Sequence, residues 1–124
     1  MSREILFRGK DLIGNWHYGV PLVYGDSLVF IAIPHEYNHS VIPETVGQFT
    51  GLTDKNGKRI FEGDIVTGLF LFGLSVNAVV TFQDGAFGLE WDRGGVNTFN
   101  AFTSLCNVEY EVMGNVHDNP ELLN

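Results

Sequence analysis

Cysteine is nearly missing: Cys106 stands by itself in 124 residues, which excludes an intrachain disulfide. Its apolar neighbours Leu105 and Val108 suggest a buried, inert thiol. Long apolar runs are missing too. The longest, Leu69 to Leu74, falls far short of the ~20 residues that a membrane-spanning helix needs. The opening MSREILFRGK holds an acidic residue and no long apolar stretch, unlike a secretory leader. A cytoplasmic protein without a membrane partner is expected. Basic residues are scarce in the second half. Residues 1–60 balance six basic against six acidic groups, whereas residues 61–124 hold nine acids and, for a base, Arg93 alone. A phosphate backbone would be repelled by that half, so broad nucleic-acid binding is disfavoured. Helical periodicity over ten or more residues is absent. So are a Walker loop, a Ser-His-Asp grouping, a nucleophile elbow and a glycine fingerprint at a strand-to-helix junction. No catalytic residue and no cofactor is expected, and the chain reads as non-enzymatic.

Glycine is abundant: 15 residues, about 12% against a usual ~7%. It punctuates short runs of strand-forming residues. Strands are expected over Glu4 to Gly9 and over Trp16 to Val20, where Pro21 marks an edge or an end and Leu22 to Tyr24 extend the run. Another follows over Leu28 to Ile33, and a polar loop covers Pro34 to Pro43. Thr45 to Leu52 favour a strand kinked at Gly47 and Gly51. Asn56-Gly57 suits a type I′ turn, which needs two positive φ angles. Glu62-Gly63-Asp64 makes a second turn into a long strand, Ile65 to Leu74, bent at Gly68 and Gly73. Ala78 to Gln83, Ala86 to Trp91, Thr98 to Leu105 and Val108 to Val116 complete the series. Asp84-Gly85 and Asp92 to Gly95 are the turns between, and a helical turn capped by Asn119 ends it. The sum is a mainly β protein with little helix. A β-hairpin extension is expected over residues 1–43 and a small SH3-like β-barrel over 44–124, within one compact chain.

Several residue groups invite chemistry. His35-Glu36-Tyr37-Asn38-His39 matches the letters of a zinc-hydrolase motif, whose imidazoles must lie one turn apart on a stable helix. Between Pro34 and Pro43, with weak helix formers, the string reads as a loop, and no metal site is expected. Asp54, Asn56 and Lys58 echo a calcium loop, but lysine at a ligand position would repel the ion. His17 and His117 sit in strand-like context and read as structural. Glu90, Asp92, Glu109 and Glu111 read as the solvent side of strands. Lys55, Lys58 and Arg59 cluster at a hairpin tip that could meet phosphate or an acidic partner, with Phe61 or Trp16 to stack on bases. Leu69-Phe70-Leu71-Phe72 is apolar on both strand faces, which points to self-association through Phe70 and Phe72.

Four stretches carry a resemblance: ILFRGKDLIGNWHYG, IPETVGQFTGLTDKNGKRIFEGDIV, VVTFQDGAFGLEW and YEVMGNVHDNPELL. In this order they are similar to the YopX family of small phage and prophage proteins. The resemblance implies a soluble protein of the bacterial cytoplasm, mostly β, with an SH3-like barrel towards the C-terminus. It supplies no catalytic residues. The His35–His39 loop and the Val66–Asn77 region lie outside the matching stretches. Two functions are carried forward, with a zinc-dependent hydrolase at His35–His39 kept as a remote third. The first is a non-enzymatic accessory module that self-associates and binds a phage or host protein. The second is a nucleic-acid binder using the Lys55–Arg59 turn.

Overall fold

The structure, a computed structural model, describes residues 4–71, 74–93, 95–102 and 110–123. Among the described residues eleven strands carry the chain, with short 3₁₀ turns at Pro43–Thr45 and Pro120–Leu123. The mainly β reading holds, in two antiparallel sheets. The chain divides after Gly51 into two compact units.

The first unit holds β1 (Phe7–Lys10), β2 (Trp16–Tyr24), β3 (Leu28–Ala32), β4 (His39–Val41) and most of β5 (Gly47–Thr53), in the order β4-β3-β2-β1-β5. β2 changes partner midway. Its first half, Trp16 to Gly19, pairs with β1, and its second half, Val20 to Tyr24, pairs with β3. The handover explains Pro21. The residue lies inside a nine-residue strand, yet the β1 ladder stops at Gly19, so its missing N–H interrupts no ladder on that side. Gly19 sits at the crossing. A Cβ there would collide with the Ala32 carbonyl, so the close approach requires glycine. Val29, Ile31 and Val41 form the buried core, with Phe7, Ile33 and Val46 packed against it.

The segment from Pro34 to Pro43 departs from the expected loop: His39–Val41 pairs with β3 as an edge strand. Val41 buries its side chain in the core, which stabilises a strand that propensity alone does not announce.

The second unit contains β6 (Arg59–Phe61), β7 (Asp64–Leu71), β8 (Leu74–Gln83), β9 (Ala86–Arg93), β10 (Val96–Ala101) and β11 (Glu111–Asn115). Its sheet runs β10-β9-β8-β7-β11. Among the described residues no ladder joins β10 to β11, so the expected closed barrel is instead an open five-stranded sheet. The expected strand Ile65 to Leu74 is split: Leu71 pairs with Leu74, and the apolar run is shared between antiparallel β7 and β8. An apolar run carries no alternation to mark where it reverses. Val66 of β7, Ala78 and Val80 of β8, and Leu89 and Trp91 of β9 alternate onto one face. There they form a core with Ile60, Phe102 and Tyr110. Gly68 has φ of 113° and lies in the register shift between Val66 and Leu69, the bend expected of it.

The two hairpin turns exchange roles. Asp84 and Gly85 have φ of 51° and 82°, and the two-residue connection between β8 and β9 is the type I′ turn. At Asp54 to Gly57, only Gly57 has positive φ, 81°. The Gly57 N–H donates to the Asp54 carbonyl at 3.0 Å, and the Asp54 carboxylate accepts the N–H groups of Asn56 and Lys58. This side-chain-capped turn, with Asn56 at ordinary φ, replaces the type I′ geometry because the carboxylate supplies the turn's acceptor.

Candidate functional site

Lys55, Lys58 and Arg59 stand exposed around the tip of the Asp54–Gly57 turn. The turn is pinned to the 110–112 segment. The Lys55 N–H donates to the Tyr110 carbonyl at 2.9 Å, the Lys55 ammonium lies 3.4 Å from Glu111 Oε1, and the Val112 N–H donates to Asp54 Oδ2 at 3.0 Å. Burial alone would push the Asp54 carboxyl up, but the N–H groups of Val112, Lys58 and Asn56, with the Lys58 charge, outweigh it and hold the group below the usual carboxylate range. Glu111 draws Lys55 into an intramolecular pair, which reduces the positive field available to a phosphate.

Phe61, expected as a stacking ring, is 4% exposed. It follows Ile60 into the interior, and Asp64 Oδ2 takes its N–H at 2.7 Å. The ring is not offered to a base. Trp16 belongs to the first unit, where the Arg8 guanidinium lies 4.8 Å from its ring centroid. Arg8 is itself buried, so one face of the indole is taken by an internal cation–π contact. Tyr110 is buried, which pushes its phenol up.

The side chains of Phe70 and Phe72, assigned to self-association, lie outside the described residues, as does Cys106. His35 to His39 do not form a helix. His35 has φ of 64° and His39 is in β4. The two imidazoles therefore lack the spacing of one helical turn that the zinc motif demands. Among the described residues no three His, Cys, Asp or Glu groups are placed to hold a metal. His17 is a structural histidine: its Nε2 lies 2.8 Å from Asp11 Oδ2 and its ring stacks on His39 at 3.8 Å. That hydrogen bond, aided by the N–H groups of Asn15 and Ile13, holds the Asp11 carboxyl below its ordinary value.

A surface that sequence reasoning missed lies on the first unit, on the side of β2 and β3 away from Val29 and Ile31. Tyr18, Val20, Leu22 and Tyr24 alternate onto it from β2. Ala32, Phe30 and Leu28 stand directly opposite Val20, Leu22 and Tyr24 on β3. Tyr18, Val20, Tyr24 and Leu28 are each 46–56% exposed. Tyr24 and Phe30 meet edge to face at 5.7 Å and, with Leu28 and Asn38, line a shallow depression of about 340 Å³. None of these residues is charged. The signal was present: Leu28 to Ile33 is apolar on both faces, and the strand pairs into a sheet with a core on one side only.

Comparison with known proteins agrees with the fold. The crystal structure of protein EF1440 from Enterococcus faecalis is similar at 26% identity, with a TM-score of 0.62. The match covers 99% of this chain and 100% of that one. Among proteins of curated function none matches. Among the described residues no helix is long and apolar enough to cross a membrane. The YopX protein family matches residues 26–124, most of the chain, and the chain belongs to the YopX family.

Proposed function

We propose that this chain is a non-enzymatic accessory protein of a phage or prophage, acting in the bacterial cytoplasm as a binding module that pairs with a second copy of itself. The observation that carries the reading is the uncharged β2–β3 face, with Tyr18, Val20, Tyr24 and Leu28 about half exposed. An exposed apolar patch of aligned, rigid strand residues is the kind of surface that protein interfaces cover, and tyrosine suits such a place because its ring packs while its hydroxyl stays hydrated. A second copy fits the electrostatics. The chain carries a net charge of −8, all of it from residues 61–124, so two copies repel each other most across that half. A charge-free face is where that repulsion opposes contact least. We read the second unit as an SH3-like sheet that stays open, leaving its turns for a further protein partner.

Light scattering on a sizing column tests this. Wild type is expected to elute as a dimer at micromolar concentration. Val20→Glu, placing a charge in the middle of the face, is expected to give a folded monomer with an unchanged circular-dichroism spectrum and a Tm that no longer depends on protein concentration. A monomeric wild type, or a Val20→Glu protein that still pairs, overturns the reading. The nucleic-acid alternative rests on the exposed Lys58 and Arg59. Low-salt binding of single-stranded DNA, lost when Lys55, Lys58 and Arg59 become Glu, would support it.

A further inference from the structure

The β1–β2 hairpin ends in a tip that chain reversal alone does not call for. Turns favour glycine, proline, asparagine, aspartate and serine, yet Leu12 and Ile13 stand at this one, 86% and 83% exposed. The tip is braced. Asp11 Oδ1 accepts the N–H groups of Ile13 at 3.0 Å and of Asn15 at 2.9 Å. Asp11 Oδ2 lies 2.8 Å from His17 Nε2, and the Asp11 N–H donates to the Asn15 carbonyl at 2.9 Å. His17 in turn stacks on His39. Two large aliphatic side chains are therefore presented to solvent on a stiff turn, which leaves little ordering entropy to lose on contact.

Charge and area indicate what covers them. From Leu12 to Gly25 the sequence holds no Asp, Glu, Lys or Arg, so the tip and the β2–β3 face share one uncharged tract. A tip that enters a bilayer brings a collar of Lys and Arg to meet anionic lipid. This hairpin offers Lys10 alone, Arg8 being buried. The face by itself is small for a pairing surface. With a full aromatic side chain at about 150–250 Å², the half-exposed Tyr18, Val20, Tyr24 and Leu28 offer roughly 400 Å². That is about half of the ~800 Å² that each partner buries in a specific interface. Leu12 and Ile13 are where the same tract supplies more. A receiving shape is present too. The depression of about 340 Å³ between Tyr24, Leu28, Phe30 and Asn38 lies at the small end of ligand pockets, the scale of a pair of aliphatic side chains. Gly19 is midway in sequence between Ile13 and Gly25. A two-fold axis crossing β2 there carries the tip of each copy to the Tyr24–Leu28 end of the other.

We propose that the Leu12–Ile13 tip of one copy seats in the Tyr24–Leu28–Phe30 depression of a second copy, reciprocally, and anchors the pair. The proposal rests on the reading that the chain pairs through β2 and β3, and it names the contact that sets the register and strength of that pairing. The aliphatic tip packs against the Tyr24 and Phe30 rings, and the two tips together close both ends of the shared face.

The test is sedimentation analysis of the full chain and its variants, with isotope-filtered NMR on a mixture of labelled and unlabelled wild type. The double variant Leu12→Ser, Ile13→Ser is expected to stay folded, because both side chains are exposed, and to dimerise about 100-fold more weakly, because each pair loses a buried aliphatic pair at both ends. Leu28→Asp, which sets a charge in the depression at a half-exposed position, is expected to do the same. Mixed in equal amounts, the two variants are expected to pair more tightly than either does with itself. The mixed pair keeps one intact tip in one intact depression, which neither variant forms alone. Filtered spectra are expected to show contacts from the Leu12 or Ile13 methyl groups of one copy to the Tyr24 or Phe30 ring of the other. A wild type that stays monomeric overturns this proposal together with the pairing reading. A dimer that Val20→Glu abolishes and the tip variant leaves unchanged overturns this proposal alone. So does a mixture that pairs no more tightly than its components. Wild-type co-sedimentation with phosphatidylglycerol vesicles, lost in the tip variant, assigns the tip to a membrane and overturns it as well.

Discussion

Asp54 Oδ2 accepts the backbone N–H of Val112 at 3.0 Å, across 58 residues of sequence. The same carboxylate caps its own turn through Asn56 and Lys58 at 2.9 Å each. One buried side chain thus sets a local turn and holds it against β11, which makes Asp54 a structural keystone of the second unit. Asp54→Ala leaves three N–H groups without that acceptor and is expected to cost about 2–4 kcal/mol in chemical denaturation. Asp54→Asn, which keeps an oxygen but loses the charge, is expected to fall between.

The same contact has a pH signature. The folded-state pKa of Asp54 lies below the ordinary carboxylate value, so the native state binds this proton less readily than the unfolded chain. The stabilisation is therefore fully present above the unfolded value and is lost as pH falls through the folded one. Wild type is expected to lose stability more steeply than Asp54→Asn below pH ~4, measured as urea midpoints at several pH values.

The turn geometries predict opposite sensitivities at two similar sequences. Gly85 adopts φ of 82° in open space, so Gly85→Ala meets backbone strain and no collision. A cost of about 1–2 kcal/mol is expected. Asn56 has no positive φ to sustain, and Asn56→Ala is expected to stay within about 0.5 kcal/mol. Thermal melts of both variants check the pair. A large loss at Asn56 would restore the type I′ assignment there.

Gly19→Ala is expected to destabilise the first unit by about 1–3 kcal/mol, because the new methyl must push the Ala32 carbonyl away where β2 changes partner. Amide exchange is the suitable readout, with faster exchange concentrated in β2 and β3.

Removal of metal is expected to leave the protein unchanged. With His35 at φ of 64° and His39 in a strand, a chelator should not shift Tm, and added zinc should not restore any property. A chelator-sensitive Tm would reopen the His35–His39 segment as a metal site.

Much of the strand pattern was legible because alternation and glycine-containing turns leave local marks. Trp16-His17-Tyr18 announced β2, and Asp84-Gly85 announced the β8–β9 hairpin. Features set by distant partners were not legible. β4 exists because Val41 reaches the core beside Val29 and Ile31. The reversal between Leu71 and Leu74 hides in an unbroken apolar run. The turn type at Asp54 depends on the reach of one carboxylate. The candidate surfaces follow the same rule. Phe61 looked available from its place beside a basic turn, yet β6 is buried at both Ile60 and Phe61, which alternation alone does not announce. The β2–β3 face appears only once register places side chains opposite one another.

β7 draws its two neighbours from very different distances. Its hairpin with β8 closes within a few residues, whereas its other ladder pairs Thr67 with Glu111. Closing the larger loop costs more chain entropy before any contact repays it. Assembly of the second unit thus acquires an order: hairpins form first, and β11 docks last, against an edge of β7 that stays open until then. During that interval the exposed edge is the place where a neighbouring chain can substitute for β11. The kinetic hazard of this protein, unlike its proposed docking face, therefore lies in the lifetime of an unfinished sheet.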